Sequence, residues 1–127
     1  MYLLNTNVVS ELRKPRPHGA VLQWVQATAE ADLHLSVVTL GEIQAGIEII
    51  REQWLERVAQ SYSVLPMDAA TFREWARLMH RASNTLYEDA MIAATARVHH
   101  LTVVTRNVAD FKGFGAQVLN PFGAART

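Results

Sequence analysis

Short apolar runs alternate with longer amphipathic segments along the chain, and this alternation constrains the fold more than any other feature. Tyr2–Leu4, Leu33–Ser36 and residues 101–105 have the length and residue types of buried strands. The segments between them place apolar residues at helical spacing. Strands that alternate with helices form βαβ units, in which parallel strands are covered by helices on both faces. The sequence therefore predicts an α/β sandwich around a parallel sheet of four or five strands.

The predicted elements follow from this periodicity. The predicted strands are 2–4, 33–36, 63–67, 101–105 and 116–119, and the predicted helices are 8–13, 19–29, 39–62, 69–83 and 87–100. A proline within the third strand places that strand at an edge of the sheet. The third helix is expected to bury Ile43, Ile47, Ile50 and Trp54, and the fourth is expected to bury Phe72, Trp75, Ala76 and Met79.

Length and composition indicate one domain. The chain has 127 residues, of which 50% are hydrophobic and 19% charged. A chain of this size buries about two thirds of the surface that it exposes when unfolded, which suffices for a single core. We expect a domain over residues 1–122 and a frayed tail over 123–127. No apolar stretch approaches the length of about 20 residues that a membrane helix needs, so we expect no membrane association.

Charge and cysteine content narrow the function classes. Twelve Lys and Arg residues balance twelve Asp and Glu residues, so bulk electrostatic attraction to nucleic acid is not expected. The absence of cysteine excludes disulfides, thiolate zinc sites and cysteine nucleophiles, and it favours a cytoplasmic location. The first residues also lack the charged and apolar regions of a secretory signal. Any contact with nucleic acid must therefore be local.

Polar residues cluster where the predicted strands end. Ligands of open parallel sheets bind beyond the carboxyl ends of the strands. The polar residues near those ends are Asn5, Thr6, Asn7, Glu42, Thr105, Asn107 and Asp110. Asp89, at the start of the helix predicted over 87–100, could face the same crevice. The oxygen ligands among them, Asn5, Glu42, Asp89 and Asp110, form a set that Mg²⁺ or Mn²⁺ prefers over zinc. Carboxylates around such a cation suit phosphodiester hydrolysis, because the metal activates a water molecule.

Each of these residues also has a structural interpretation. Thr39 with Glu42, and Thr85 with Glu88, fit capping boxes at helix starts. Asp89 would then be a first-turn acid stabilised by the helix dipole. The other members of the set are ordinary residues for turns and caps. Only the convergence of all four oxygen ligands at strand ends favours the functional interpretation.

The stretches that contain these residues resemble the PIN-domain ribonucleases, especially the VapC-type toxins of bacterial toxin-antitoxin pairs. The matching stretches are YLLNTNVVSELR, LSVVTLGEIQAGI, YEDAMIAATA, LTVVTRNVADF and VLNPF, at residues 2–13, 35–47, 87–96, 101–111 and 118–122. The resemblance implies a compact α/β/α domain around a parallel sheet. It also implies an acidic pocket that binds Mg²⁺ or Mn²⁺ and cuts single-stranded or loop regions of RNA.

The resemblance assigns roles residue by residue. Glu42 and Asp89 match the family's second and third acidic positions. Asp110 matches the fourth acidic position better than Asn107 does, since some members carry Asp where Asn107 stands and others place the acid at the position of Asp110. Thr105 matches a Ser or Thr that holds the acidic pocket by hydrogen bonding.

Position 5 departs from the family pattern. The family has Asp there as a metal ligand, whereas this chain has Asn5. The two residues that follow, Thr6 and Asn7, match positions that shape the first loop. An amide oxygen can still coordinate a hard cation, but the lost negative charge weakens metal binding and activation of water. We predict that the chain folds like an active toxin and cleaves RNA poorly or not at all.

The resemblance also implies partners. These are a cognate antitoxin that covers the pocket, an RNA substrate, operator DNA reached only through the antitoxin, and a second copy of the chain within a larger complex. Arg13, Lys14 and Arg16 form the densest basic stretch and follow the first loop. They could contact RNA phosphates. The alternative for so short a run is a solvated linker.

Two other functions stay open at the sequence level. A catalytically silent PIN-like binding partner is one, and Asn5 favours it. A signalling receiver domain is the other, because it shares the length, the doubly wound sheet and Mg²⁺ at acidic strand ends. A receiver also needs an acidic pair after the first strand, a phosphorylatable Asp after the third and a Lys after the fifth, and none is visible here.

Overall fold

Five parallel strands form one sheet in the computed structural model, which describes residues 1–46, 52–80 and 86–123. The strands are β1 (Tyr2–Leu4), β2 (Leu33–Ser36), β3 (Ser63–Leu65), β4 (Thr102–Val104) and β5 (Val118–Leu119). Their order across the sheet is β3-β2-β1-β4-β5, and each neighbouring pair is parallel. The predicted parallel sheet is confirmed. The third strand lies at an edge as predicted, although it ends at Leu65, just before the proline that suggested this position.

Helices cover both faces of this sheet. The described ranges contain α1 (Thr6–Arg13), α2 (Gly19–Ala27), α3 (Val37–Gly46), α4 (Glu52–Ser61), α5 (Ala69–Met79), α6 (Tyr87–His99) and α7 (Val108–Gly113), with a short 3₁₀ turn at Glu30–Asp32. Two hydrophobic clusters fill the spaces between sheet and helices. One lies against α5, α6 and α7, and the other lies against α1 to α4. The α/β/α sandwich is confirmed as a single domain.

Alternation along the central strands explains the two clusters. Leu3 and Val103 point into the cluster beneath α6, and their chain neighbours Leu4 and Val104 point into the opposite cluster. All four side chains are completely buried. A strand that is buried on both faces reads as a continuous apolar run, because successive side chains point to opposite faces. The shortness of these runs therefore reflects strands of only three residues.

The prediction of one helix over residues 39–62 is wrong. The structure has two helices there, α3 and α4, and they contact each other. In one straight helix, Gly46 and Glu52 would lie six residues apart, which is about 9 Å along the axis, so α3 and α4 could not contact each other. The helical spacing predicted a single helix because Ile43 of α3 and Trp54 of α4 both pack in the same hydrophobic cluster. Ile47 and Ile50, also expected to be buried, lie outside the described residues.

The buried face of α5 differs by one position from the prediction. Phe72 is 44% exposed and Ala76 is also exposed, so neither points inward. Asp68 caps the helix by accepting bonds from the backbone and the hydroxyl of Thr71, which is completely buried. This cap sets the helix rotation so that the buried stripe begins at Thr71. It then continues through Trp75, Leu78 and Met79, which are partly buried.

The apolar periodicity of the sequence did not predict one of the helices. The stretch after β4 forms α7, where residues 101–111 indicated only a strand and a possible turn cap. A helix of six residues has room for one buried position, here Phe111, which is too little to show a helical period. Residues 124–127 of the predicted tail lie outside the described residues. No described helix is both long enough and apolar enough to cross a membrane.

Candidate active site

The ends of β1 and β4 place Asn5 beside Thr105. Leu4 and Val104 are partners in the parallel register, so the residues that follow them are neighbours across the sheet. Asn5 donates its backbone N–H to the carbonyl of Val104 at 2.9 Å. Its side-chain Nδ2 donates to the Thr105 hydroxyl at 2.8 Å. Both side chains are buried, so this contact is fixed within the protein rather than at its surface.

The same asparagine caps α1. Its Oδ1 accepts the backbone N–H of Thr6 at 2.8 Å, and the helix therefore begins at Thr6, two residues earlier than predicted. A side-chain oxygen at this position satisfies one of the free N–H groups of the first helical turn. Both polar atoms of the Asn5 amide are thus used. The oxygen holds the helix, and the nitrogen holds Thr105.

Three donors converge on the Thr105 hydroxyl. They are Nδ2 of Asn5 at 2.8 Å, Nδ2 of Asn7 at 3.2 Å and the backbone N–H of Asn107 at 3.0 Å. A hydroxyl oxygen has two lone pairs and one proton. Its proton has no acceptor among the described residues, whereas its lone pairs are approached by one donor too many. The completely buried Thr105 is therefore poorly matched to its surroundings.

A carboxylate at position 5 would correct this mismatch. One oxygen would keep the cap on Thr6, and the other would accept the Thr105 proton, which would leave two donors for two lone pairs. Turning the Asn5 amide over does not help, because its NH₂ group would then face the N–H of Thr6. The network around Asn5 thus has the donor pattern that suits an aspartate.

Glu42 is joined to the first loop by Thr6. The Thr6 hydroxyl donates to Oε1 of Glu42 at 2.8 Å and lies 3.2 Å from the hydroxyl of Thr39. The capping-box alternative for Glu42 is wrong. The helix α3 begins at Val37, where the N–H of Val38 bonds to the Ser36 hydroxyl, so Thr39 lies inside the helix and not at its cap.

Asp89 lies in the first turn of α6 and is half-buried. Burial raises the pKa of this carboxyl, and the nearby negative charges of Asp110, Glu42 and Glu88 raise it further. Like charges disfavour ionisation when they share a site. The acids of three separate helices, α3, α6 and α7, therefore act on one another near the ends of β1 and β4.

The donor set fits a magnesium ion that keeps much of its water. Among the described residues, no three His, Cys, Asp or Glu side chains lie close enough to hold a metal by themselves. Mg²⁺ commonly binds through one or two carboxylates and retains several waters. The mutual repulsion at Asp89 would be relieved by such a cation. All the candidate ligands present oxygen, as a hard cation requires.

Asn7 and Asn107 join the loop after β4 to this network. Besides its bond to Thr105, Asn7 accepts the backbone N–H of Arg106 through Oδ1 at 3.3 Å. Asn107 occupies the position before α7 and contributes its backbone N–H, not its side chain, to Thr105. Asp110 follows in the first turn of α7 and is exposed. The structure thus places every predicted supporting residue at this edge of the sheet.

The basic stretch is held by an acid that the sequence did not single out. Glu11 is only 7% exposed, and it forms an ion pair with Lys14 at 3.0 Å. Its other oxygen accepts the backbone N–H of His18 at 3.0 Å. The bond to Lys14, followed by that from His18, lowers the pKa of Glu11. The spacing of three residues between Glu11 and Lys14 on a helix was the signal that could have indicated this pair.

The remaining members of that stretch differ in exposure. Arg13 is half-buried in the last turn of α1, and Arg16 is exposed in the loop that follows. Lys14 is already paired with Glu11. Arg16 is therefore the residue of the three that is best placed for an outside partner.

Comparisons with known proteins place this geometry in a family. A PIN-domain model matches residues 2–114. The VapC ribonuclease Y4jK of Sinorhizobium fredii is 34% identical over 98% of this chain and 100% of its own length. Toxin FitB of Neisseria gonorrhoeae is 32% identical, covering 96% of this chain and 99% of its own. A solved structure of FitAB bound to an IR36 DNA fragment matches with a TM-score of 0.85 and 28% identity, over 96% of both chains. The chain therefore belongs to the PIN-domain family, in the group that includes VapC ribonucleases and FitB.

Proposed function

We propose that this chain is the toxin of a toxin-antitoxin pair and an endoribonuclease that hydrolyses RNA phosphodiester bonds in the acidic pocket. The observation that carries the proposal is that Glu42 and Asp110 lie near enough to Asp89 to raise the pKa of its carboxyl, although the three come from different helices, beside the buried contact of Asn5 with Thr105. Repulsion of this kind costs stability and is typical of functional sites. The similarity to a VapC ribonuclease and to FitB supports the same function.

The residues of the pocket divide the work. Asn5, Glu42, Asp89 and Asp110 would hold Mg²⁺ or Mn²⁺, which supplies an activated water and stabilises charge on the phosphate. The Thr6 hydroxyl orients Glu42 by donating to its carboxylate. Thr105 fixes position 5 at the ends of β1 and β4. These bonds keep the ligands in place before substrate arrives, which lowers the cost of forming the reacting geometry.

Asn5 weakens this machinery because it lacks the negative charge that would attract the cation. Its one acceptor oxygen also caps α1 and keeps a single free lone pair, whereas the two oxygens of an aspartate would keep one each. We infer that the chain as given cleaves RNA slowly or not at all.

The test compares the chain as given with Asn5→Asp in an RNA cleavage assay, with Mg²⁺, with Mn²⁺ and with a chelator. We expect metal-dependent cleavage by Asn5→Asp and little by the parent. Asp89→Asn in the Asn5→Asp background is the matched loss-of-function control. Equal activity of parent and Asn5→Asp would refute the role of position 5. Absence of cleavage by both, with either metal, would refute the nuclease and favour a catalytically silent binding partner.

The partners follow from the same proposal. We infer that an antitoxin covers the acidic pocket with a basic side chain, that two copies of this chain pair within a larger complex, and that operator DNA is bound through the antitoxin. The solved complex of FitAB with DNA supports this arrangement. The balance of twelve basic and twelve acidic residues agrees with a chain that does not bind DNA alone. Gel-shift assays with the chain alone and with its antitoxin would test it.

We assign the catalytic domain to residues 1–122 and the tail to residues 123–127.

We also infer that Arg13, Lys14 and Arg16 contribute to RNA binding at the rim of the pocket. The exposure of Arg16 supports its share in this role more than the paired Lys14 supports its own.

A further inference from the structure

Arg106 stands at the edge of the acidic pocket and is fixed from two sides. It follows Thr105 directly, and its backbone N–H is held by Asn7 at 3.3 Å. Its guanidinium lies over the ring of Phe122, 3.8 Å from the ring centroid. A cation over an aromatic face is attracted by the ring, and a planar guanidinium can stack there while its N–H edges stay free. The side chain is therefore oriented although it is exposed.

The guanidinium has no protein partner for its N–H groups in the described part of the chain. The ion pairs found there join Lys14 to Glu11 and join Arg77 and Arg97 to Glu74. Arg106 lies near enough to Glu11 to lower the pKa of that carboxyl slightly. Both oxygens of Glu11 are, however, already bonded to Lys14 and to the N–H of His18. The charge of Arg106 is thus available to an outside ligand.

Three loops meet at this arginine. Phe122 comes from the loop after β5, and its ring contacts the ring of His18, from the loop after α1, with centroids 5.3 Å apart. We call Arg106, Phe122 and His18 the Arg106 platform. Nδ1 of His18 accepts the N–H of Ala20, so a neutral His18 carries its proton on Nε2 and adds a second donor. The platform continues from the pocket toward the basic stretch.

We propose that the Arg106 platform binds a backbone phosphate of the RNA substrate, next to the phosphate that is cut. This inference rests on the proposed nuclease function. An RNA strand that enters a pocket of repelling carboxylates needs a cation beside it, and a stacked guanidinium with free N–H edges binds phosphate in a bidentate manner. A carboxylate of the antitoxin is the competing ligand for the same group.

The binding experiment uses the chain as given, because Asn5 is expected to let it bind RNA without cutting it. The probe is a short fluorescein-labelled RNA of randomised sequence, and fluorescence anisotropy gives Kd over a series of KCl concentrations in Mg²⁺. We expect Arg106→Ala to weaken binding about tenfold at low salt. We also expect it to reduce the slope of log K against log salt by about 0.7, the value for one lost contact to a single strand.

Arg77→Ala is the matched control. Arg77 has the same side chain and charge, but it is exposed on α5 and paired with Glu74. We expect this variant to change Kd less than twofold and to leave the salt slope unchanged. Equal effects of Arg77→Ala and Arg106→Ala would overturn the proposal, because they would show attraction to net charge alone.

Two further variants test the geometry of the platform. Phe122→Leu keeps an apolar side chain and removes the ring, and Arg106→Lys keeps the charge and removes the planar fork. We expect both to lie between the parent and Arg106→Ala in Kd. Arg106→Gln replaces Arg106→Ala if the alanine variant does not melt cooperatively. Parent-like binding by both Arg106→Gln and Arg106→Lys would overturn the proposal.

A cleavage assay in the Asn5→Asp background separates this inference from the nuclease proposal. If Asn5→Asp cleaves RNA and adding Arg106→Ala changes neither Kd nor cleavage, the platform is refuted and the nuclease stands. If no variant cleaves RNA, the nuclease is refuted, and the Kd and salt slope of Arg106→Ala alone decide whether the platform binds an RNA phosphate. If Arg106→Ala loses affinity only for the antitoxin, the platform binds a carboxylate of the partner, which overturns the RNA proposal.

Discussion

The two ends of α6 place partly buried acids in opposite electrostatic surroundings. Near the C-terminal end, Glu74 of α5 is held by Arg97 and by Arg77, and these bonds lower its pKa. At the N-terminal end, Asp89 is half-buried among Asp110, Glu42 and Glu88, and burial together with their charges raises its pKa. At one end arginines bond to the carboxylate, and at the other the described charges that shift the pKa of Asp89 are further carboxylates.

This difference distinguishes a structural site from the proposed functional one. An acid that bonds to two arginines stabilises the fold whether or not a ligand is present. Acids that repel one another stabilise nothing until a cation joins them, so they are expected where a protein binds a cation. The predictions that follow change residues at one end of α6 or at the other and ask whether the two ends respond differently.

The largest effect is expected on catalysis. In the Asn5→Asp background, which we propose to be active, we expect Asp89→Asn to reduce RNA cleavage about 100-fold or more, since it removes charge from the proposed cation site. Glu74→Gln in the same background should leave cleavage within about twofold, because Glu74 bonds to the arginines of the other end. Initial rates at saturating Mg²⁺ give both values. A comparable loss from Glu74→Gln would show that the two ends are not functionally separate.

The next effect is expected on metal-linked stability. A ligand that binds only the folded state at 100 times its Kd adds about 2.7 kcal/mol to the free energy of unfolding. We expect Mg²⁺ to raise the Tm of Asn5→Asp more than that of the chain as given, and Asp89→Asn to cancel that gain. Calorimetry with and without Mg²⁺ measures it. The same Mg²⁺ shift in Asp89→Asn would show that the cation binds elsewhere.

Gly115 provides a test of the C-terminal end of α6, where Arg97 bonds to Glu74. This residue has a φ of +73°, and a Cβ at this position would lie 2.6 Å from Nη1 of Arg97, which donates to the Gly115 carbonyl. We expect Gly115→Ala to lower the free energy of unfolding by about 1 to 3 kcal/mol through backbone strain. Denaturant unfolding gives the value, and RNA cleavage in the Asn5→Asp background should not change. An unchanged midpoint would show that Arg97 moves aside and that the turn relaxes.

The sequence predicted the place of the acidic pocket better than it predicted the contacts that join separate elements. The place of the pocket follows from a general rule, since parallel strands bring their carboxyl ends to one edge, and short apolar runs marked those ends at Asn5 and Thr105. The roles of its acids were implied by the family resemblance. The bond from Arg97 to Gly115 and the stacking of Arg106 on Phe122 join residues from separate elements, and no local pattern indicates them. Three donors on one hydroxyl are likewise visible only in three dimensions.

The errors in the fold have the same origin. The helical spacing continued from Ile43 to Trp54 because both side chains enter one cluster, although two helices carry them. The face of α5 was misassigned because the cap from Asp68 to Thr71, not the apolar count, sets its rotation. Periodicity identifies which residues are apolar and roughly where an element lies. It does not show where one helix ends and another begins on the same core.

The smallest expected effect is the pH dependence of Glu74. Its pKa lies below the ordinary value of 4.5, so the folded state holds the ionised carboxylate more strongly than the unfolded state does. The stabilisation is therefore fully present above pH 4.5 and is lost as the pH falls through the lower folded pKa. We expect Glu74→Gln to reduce the free energy of unfolding by about 1 kcal/mol at neutral pH, since two charge-assisted bonds are lost but both arginines stay partly solvated. The difference from the parent should shrink toward zero in acid, as urea unfolding at several pH values would measure. A difference that persists unchanged below the folded pKa would mean that Glu74 stabilises α5 by packing, and the contrast with Asp89 would then not be one of charge.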